Sequence, residues 1–161
     1  MSQSVLFAFK PGFRKTLQLG MSVAVLFVCQ HSVAADSDII KTRQEGFKAM
    51  GGAMKTLHKA LKRDELGTAA VVDAATKLTE LAPKIHDWFP AGTDMDSAPD
   101  TDALPYIWKK PEKFKEYADA LVPATAKLMN VANQADAAVF KSALGGVKDQ
   151  CSGCHKSFRA D

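Results

Sequence analysis

AAVFKSALGGVKDQCSGCHKSF, residues 137–158, sets Phe140, Leu144, Val147, Cys151, Cys154, His155 and Phe158 along one stripe. Steps of three and four residues are the period of a helix with one buried face. Asp136, just before the stretch, suits an N-cap. Working outward, three more helical patterns precede it. One spans about Asp38 to Lys62, with Ser37 as its cap and Ile40, Phe47, Met50, Met54, Leu57 and Leu61 inward. A second spans about Ala69 to Ala82 behind Thr68, with Val71, Ala74, Ala75, Leu78 and Leu81 inward. Pro83 breaks or kinks it, and a short continuation carries Ile85, Trp88 and Phe89. A third spans about Glu112 to Asn133, with Phe114, Tyr117, Leu121, Thr125 and Leu128 inward. Pro111 suits its first turn and Pro123 should kink it. Residues 90–105 read as a solvated acidic loop rich in Pro, Gly, Asp and Ser. No strand pattern stands out. Four helices with two short connections predict an all-α fold, an antiparallel four-helix bundle.

The chemistry lies in CSGCH, residues 151–155. Two cysteines three apart with histidine next is the covalent attachment signature of c-type haem. Each thiol adds across one haem vinyl group as a thioether, and the adjacent imidazole reaches the iron. On a helix Cys151, Cys154 and His155 share a face, so one haem c is expected on the core side of the C-terminal helix. A thioredoxin-like redox pair wants a βαβ context, and a zinc site wants a second Cys/His cluster. Neither is present in the sequence.

Residues 1–35 read as a secretory signal peptide: basic Lys10, Arg14 and Lys15, an apolar run from Leu17 to Cys29, and small residues at Val33-Ala34-Ala35. Cleavage near Ala35 places the mature domain, residues 36–161, in the periplasm, where haem of this type is attached. Val28 before Cys29 is larger than lipoprotein sites use, so no membrane anchor is expected. Removing the leader leaves 18 basic and 18 acidic side chains, so the apparent basic excess belongs to the leader. A neutral domain gives no argument for nucleic acid as a partner.

His155 supplies one axial ligand, and function turns on the opposite face of the iron. A second strong ligand makes an electron carrier, whereas a side chain without a lone pair leaves room for a small molecule. His58 and His86 read better as surface or loop residues than as ligands. Met50, Met54 and Met129 fall on or near apolar stripes, where methionine usually fills core.

The mature region resembles the class II c-type cytochromes, cytochrome c′ above all. The resemblance rests on the C-terminal CxxCH followed by Phe158-Arg159, on the Arg43-Gln44 pair in the first helix, and on the Pro-x-Ile-Trp stretch at 105–108. It implies that Phe47, three residues after Gln44, faces the distal side of the iron. Low-spin relatives resembling cytochrome c-556 use a Met near this point, and a phenyl ring cannot ligate. The resemblance therefore implies a five-coordinate, high-spin haem under an apolar cap, binding NO and CO when Phe47 moves aside. Such a cap offers no hydrogen bond to dioxygen and no acid–base groups for peroxidase chemistry, so no enzyme activity is expected. It also implies that Arg159 lies near the proximal face, and that a homodimer forms through the first two helices. Exchange of electrons with a redox partner protein is compatible with this site. The alternative is a six-coordinate electron carrier with Met50 or Met54 as ligand. Arg43 and Gln44 either contact the haem propionates or face solvent; the residues leave both open. Gly51-Gly52 and Gly145-Gly146 weaken their helices by about 1 kcal/mol per Gly, which suggests close backbone approach to the haem or another helix.

Overall fold

In the computed structural model of the protein, residues 31–160 are described, with side chains from Ser37 onward. The elements are α1 (His31–Arg63), α2 (Ala69–Leu81), a 3-10 segment (Ala82–Trp88), α3 (Tyr106–Lys109), α4 (Pro111–Val131) and α5 (Ala137–Phe158). Of the segment read as a leader, only the backbone of residues 31–35 is described, and it is helical. The apolar run from Leu17 to Cys29 lies outside the described residues.

α1 starts earlier than expected. Ser37 lies inside it and does not serve as its N-cap, since no Gly or Pro between His31 and Ser37 stops the helix from running backwards. The apolar stripe is otherwise as read, with Ile40, Met50 and Leu57 buried and Phe47, Met54 and Leu61 half-buried. α2 buries Val71, Ala74, Ala75 and Leu78. Thr68 precedes it, but the hydroxyl donates to the Glu65 carbonyl and makes no cap.

Pro83 does not end the helical path. The chain tightens into a 3-10 turn, where Pro stands near the start and a missing donor matters least. Ile85 and Trp88 are buried there. α4 begins at Pro111 and stays helical through Pro123. α5 has the expected bounds, and the Asp136 carboxylate accepts from Ala138 N at 2.9 Å and Val139 N at 3.0 Å. That cap satisfies two of the four orphan donors at the helix start.

α1 packs on α2, α2 on α4 and α4 on α5, with α5 closing against α1. Short connections at 64–68 and 132–136 make their flanking helices antiparallel neighbours. The result is the expected four-helix bundle. Leu57, Leu78, Leu128, Phe140, Leu144 and Val147 form its buried centre.

The acidic segment after Trp88 is exposed at its tip, where Asp94 accepts from the amides of Asp96 and Ser97 and from the Ser97 hydroxyl. Those bonds occupy the carboxylate within its own turn. The far end of the loop docks on the chain terminus. Ala103 and Arg159 form an isolated antiparallel bridge, Leu104 N donates to Phe158 O, and Ala160 N donates to Asp102 O at 2.8 Å.

Candidate functional site

Cys151, Cys154, His155 and Phe158 open onto one cavity of about 620 Å³ between α1, α4 and α5. Its interior is formed by Phe47, Met50, Ile85, Phe89, Phe114 and Leu121, among other apolar side chains. The volume falls within the range of about 300–1,000 Å³ that cofactor pockets occupy.

The two cysteines are free and half-buried. Burial pushes the Cys151 thiol up, and burial together with the neighbouring Cys151 pushes Cys154 up to about 11. Before attachment both therefore stand as neutral thiols. Burial, then the nearby Arg159, lowers the pKa of His155, which favours the neutral imidazole an iron ligand requires. Gly51 faces this cavity, and a Cβ built there would meet nothing within 4 Å. A flat apolar group carrying two thioether links and needing one nitrogen ligand fits this donor set and this space.

Phe47 projects from α1 into the same cavity. Its ring meets the edge of Trp88 at 5.2 Å and lies 6.1 Å from Phe89. Trp88 in turn closes on Gly46, where a Cβ would come within 2.3 Å of the indole. Aromatic contact continues from Phe89 to Phe114 at 4.8 Å and from Phe114 to Phe158 at 5.4 Å. The wall thus runs unbroken from α1 to the end of α5.

Gly153, inside the CSGCH motif, touches Tyr117 on α4 closely. An added Cβ would lie 2.6 Å from the tyrosine ring. Gly52, Gly145 and Gly146 do not behave this way. Nothing lies within 4 Å of a Cβ at any of them, so the expected close helix approach is not found there. Around the cavity the close-approach glycines are Gly46 and Gly153.

Arg43 is not the solvated side chain that one reading of the sequence offered: it is only 3% exposed and borders the cavity. Its guanidinium donates to Trp88 O, Thr93 Oγ1, Thr93 O and Thr101 Oγ1 at 2.6–3.2 Å and lies 4.6 Å over the Phe89 ring. Gln44 is exposed and donates to the Asp100 carbonyl. Both residues border the cavity, but their donors hold the 88–101 segment. Arg159 is exposed at the cavity mouth and pairs with Asp102 at 3.3 Å.

Several lining residues were missed. Phe89, Thr101, Lys48 and Lys148 carry no motif of their own. His58, read as a surface residue, borders the cavity with Nδ1 2.8 Å from the Met54 carbonyl. It stands eleven residues beyond Phe47, about 16 Å along the helix. His86 is a surface residue as read, paired with Asp119 at 2.9 Å.

A four-helix bundle with a CxxCH on its last helix, opening into an apolar cavity, defines the architecture of a bundle-type c-type haem protein. The comparisons agree. The Cytochrome C′ family pattern matches residues 38–159. The chain is 34% identical over 128 residues to a cytochrome c′ of Rhodopseudomonas palustris, covering 78% of this chain and 84% of that protein. A solved cytochrome c′ with an unusual ligand-controlled dimer dissociation superposes with a TM-score of 0.71 at 27% identity, covering 78% of this chain and 97% of that one. A nitric oxide complex of a cytochrome c prime variant from Alcaligenes xylosoxidans superposes with a TM-score of 0.68 at 25% identity, with the same two coverages. The chain belongs to the cytochrome c′ family of c-type haem proteins.

Proposed function

We propose that this protein binds diatomic gases, NO and CO, at one haem c held by thioethers from Cys151 and Cys154 and by His155 as axial ligand. The bound group would supply an iron centre able to take a small neutral ligand and to change oxidation state. The chain's residues do the rest. Neutral His155 presents a lone pair from α5. Phe47, backed by Trp88 and Phe89, covers the opposite side with a ring that has no lone pair to donate. An apolar cover keeps out water and ions and admits small neutral molecules when it swings aside. That Phe47 lines the same cavity as His155 is the observation that carries the reading. The nitric oxide complex of a structural neighbour supports it.

The role is ligand binding and release, not catalysis. Among the described side chains His58 is the one histidine besides His155 at the cavity, and it lies far along α1 from the ring that covers the site. The runner-up is a six-coordinate electron carrier. Met50, buried and one turn from Phe47, is its best ligand, since Met54 is two turns away and about 10 Å along the helix. Exchange of single electrons with a partner protein is compatible with either coordination. We place the mature chain in the periplasm, after removal of residues 1–35. No helix among the described residues is long and apolar enough to cross a membrane. A homodimer through α1 and α2 completes the reading, in line with the dimer described for one structural neighbour.

Optical and EPR spectra of the purified ferric and ferrous protein, with and without NO and CO, test this directly. A high-spin ferric signal and a ferrous form that binds both gases are expected. A low-spin spectrum in both oxidation states, unmoved by CO, would transfer the assignment to the Met-ligated carrier.

A further inference from the structure

Tyr106 is among the few large hydrophobic side chains left exposed, at 43%. It is not loosely held. Its ring stacks on Phe158 at 5.7 Å with an interplanar angle of 26°. Phe158 is buried, and it lines the haem cavity three residues after His155. One aromatic ring thus stands between solvent and the cavity wall. Lys109 ends the single turn of α3, three residues after Tyr106, and Lys110 follows as its C-cap, with its amide bonded to the Tyr106 carbonyl. Both lysines are exposed, and neither has an ion-pair partner among the described residues. Lys113, over the Tyr117 ring at 5.3 Å, and Arg159, at the docked chain end, extend the cationic rim. These two are already paired, with Glu116 and Asp102.

We propose that this face, centred on Tyr106 and framed by Lys109 and Lys110, is the docking surface for a redox protein whose own cofactor edge is ringed by carboxylates. An exposed aromatic inside a cationic rim has the composition of an interface centre, and free lysines steer an anionic partner toward it. The Tyr106–Phe158 stack gives an aromatic route from that contact to the cavity. In the productive complex one electron passes from the reduced centre of the partner to the ferric iron. The partner is left oxidised by one electron and the iron ferrous; no bond forms or breaks. This rests on the electron-exchange part of the reading above.

The test uses ferrous holoprotein and two one-electron oxidants, anionic hexacyanoferrate(III), standing in for an acidic surface, and cationic tris(phenanthroline)cobalt(III). The Lys109→Glu/Lys110→Glu double variant should react with hexacyanoferrate(III) about tenfold more slowly at low salt and faster with the cobalt complex. The difference should vanish at high ionic strength, where charges are screened beyond a few ångströms. A Lys127→Glu/Lys141→Glu variant makes the same change in net charge on other, exposed positions and should stay close to wild type. Equal slowing in both variants, or none in the first, overturns the docking surface. Failure of the wild-type protein to react with either oxidant overturns electron exchange itself.

Discussion

In the proposed reading Phe47 decides the chemistry at the scale of one residue, because its ring lines the cavity where a ligating side chain would change the class of the protein. Phe47→Met should turn the ferric spectrum from high spin to low spin and suppress CO binding. An unchanged spectrum would mean that position 47 does not face the iron. A second residue-scale expectation concerns the cysteines of haem-free protein. Folding raises the Cys154 thiol from 9.0 to about 11, so the folded state favours the protonated form. The corresponding stability is fully present below pH 9 and lost as pH rises through 11. Reaction of this thiol with an aromatic disulfide reagent should stay slow near pH 9 and accelerate toward pH 11, alongside a falling denaturant midpoint. The three residues of the haem motif were legible from spacing alone, since covalent chemistry fixes it. Arg43 was not, because a long cationic side chain on a helix is usually solvated. Its burial had a signal nonetheless. Ile40, Phe47, Met50, Met54, Leu57 and Leu61 leave one gap in a three-and-four rhythm, and Arg43 fills it.

At the scale of elements, α5 was read to its ends because an Asp cap, a clean stripe and a motif all agreed. The short continuation after Pro83 was read, but not its 3-10 form, and α3 was not foreseen. A proline reads as a stop, although near the start of a tight turn its missing donor costs little. A four-residue helix is too short to show a period. The segment between α2 and α4 is instead held from outside, by Arg43 of α1. Replacing Arg43 by Leu takes the guanidinium donor from the Thr93 and Trp88 carbonyls and from two threonine hydroxyls, of which only Thr101 still accepts from a backbone amide, that of Ala103. Charged hydrogen bonds contribute roughly 1.5–3 kcal/mol each, and their loss is only partly recovered by water, so a cost of about 2–4 kcal/mol is expected. Urea unfolding of the holoprotein measures it. Greater proteolysis within residues 90–103 of the same variant would identify the segment released.

For the whole molecule, the surface of α1 bears on assembly. Lys41, Lys48, Lys55 and Lys62 recur at intervals of seven along its exposed side. A sevenfold repeat drifts only about 20° per step on a helix, so the four cations form one band about 30 Å long. A dimer that brings two α1 helices together places like charges within reach of one another. Its association constant should therefore rise with ionic strength as these charges are screened, the reverse of an interface built on ion pairs. Sedimentation velocity from low to high salt measures the sign. Neutrality of residues 36–161 was readable from composition, but their division into a basic α1 and acidic loops needed the positions of the helices.

The contact between Gly153 and Tyr117 reaches beyond this one chain. The two positions inside a CxxCH are commonly regarded as free spacers, yet here the second of them is dictated from another helix. Evolution should therefore treat 153 and 117 as a single character. Relatives that acquire a larger side chain between the cysteines should have lost the ring opposite, and an inherited glycine should travel with an inherited tyrosine.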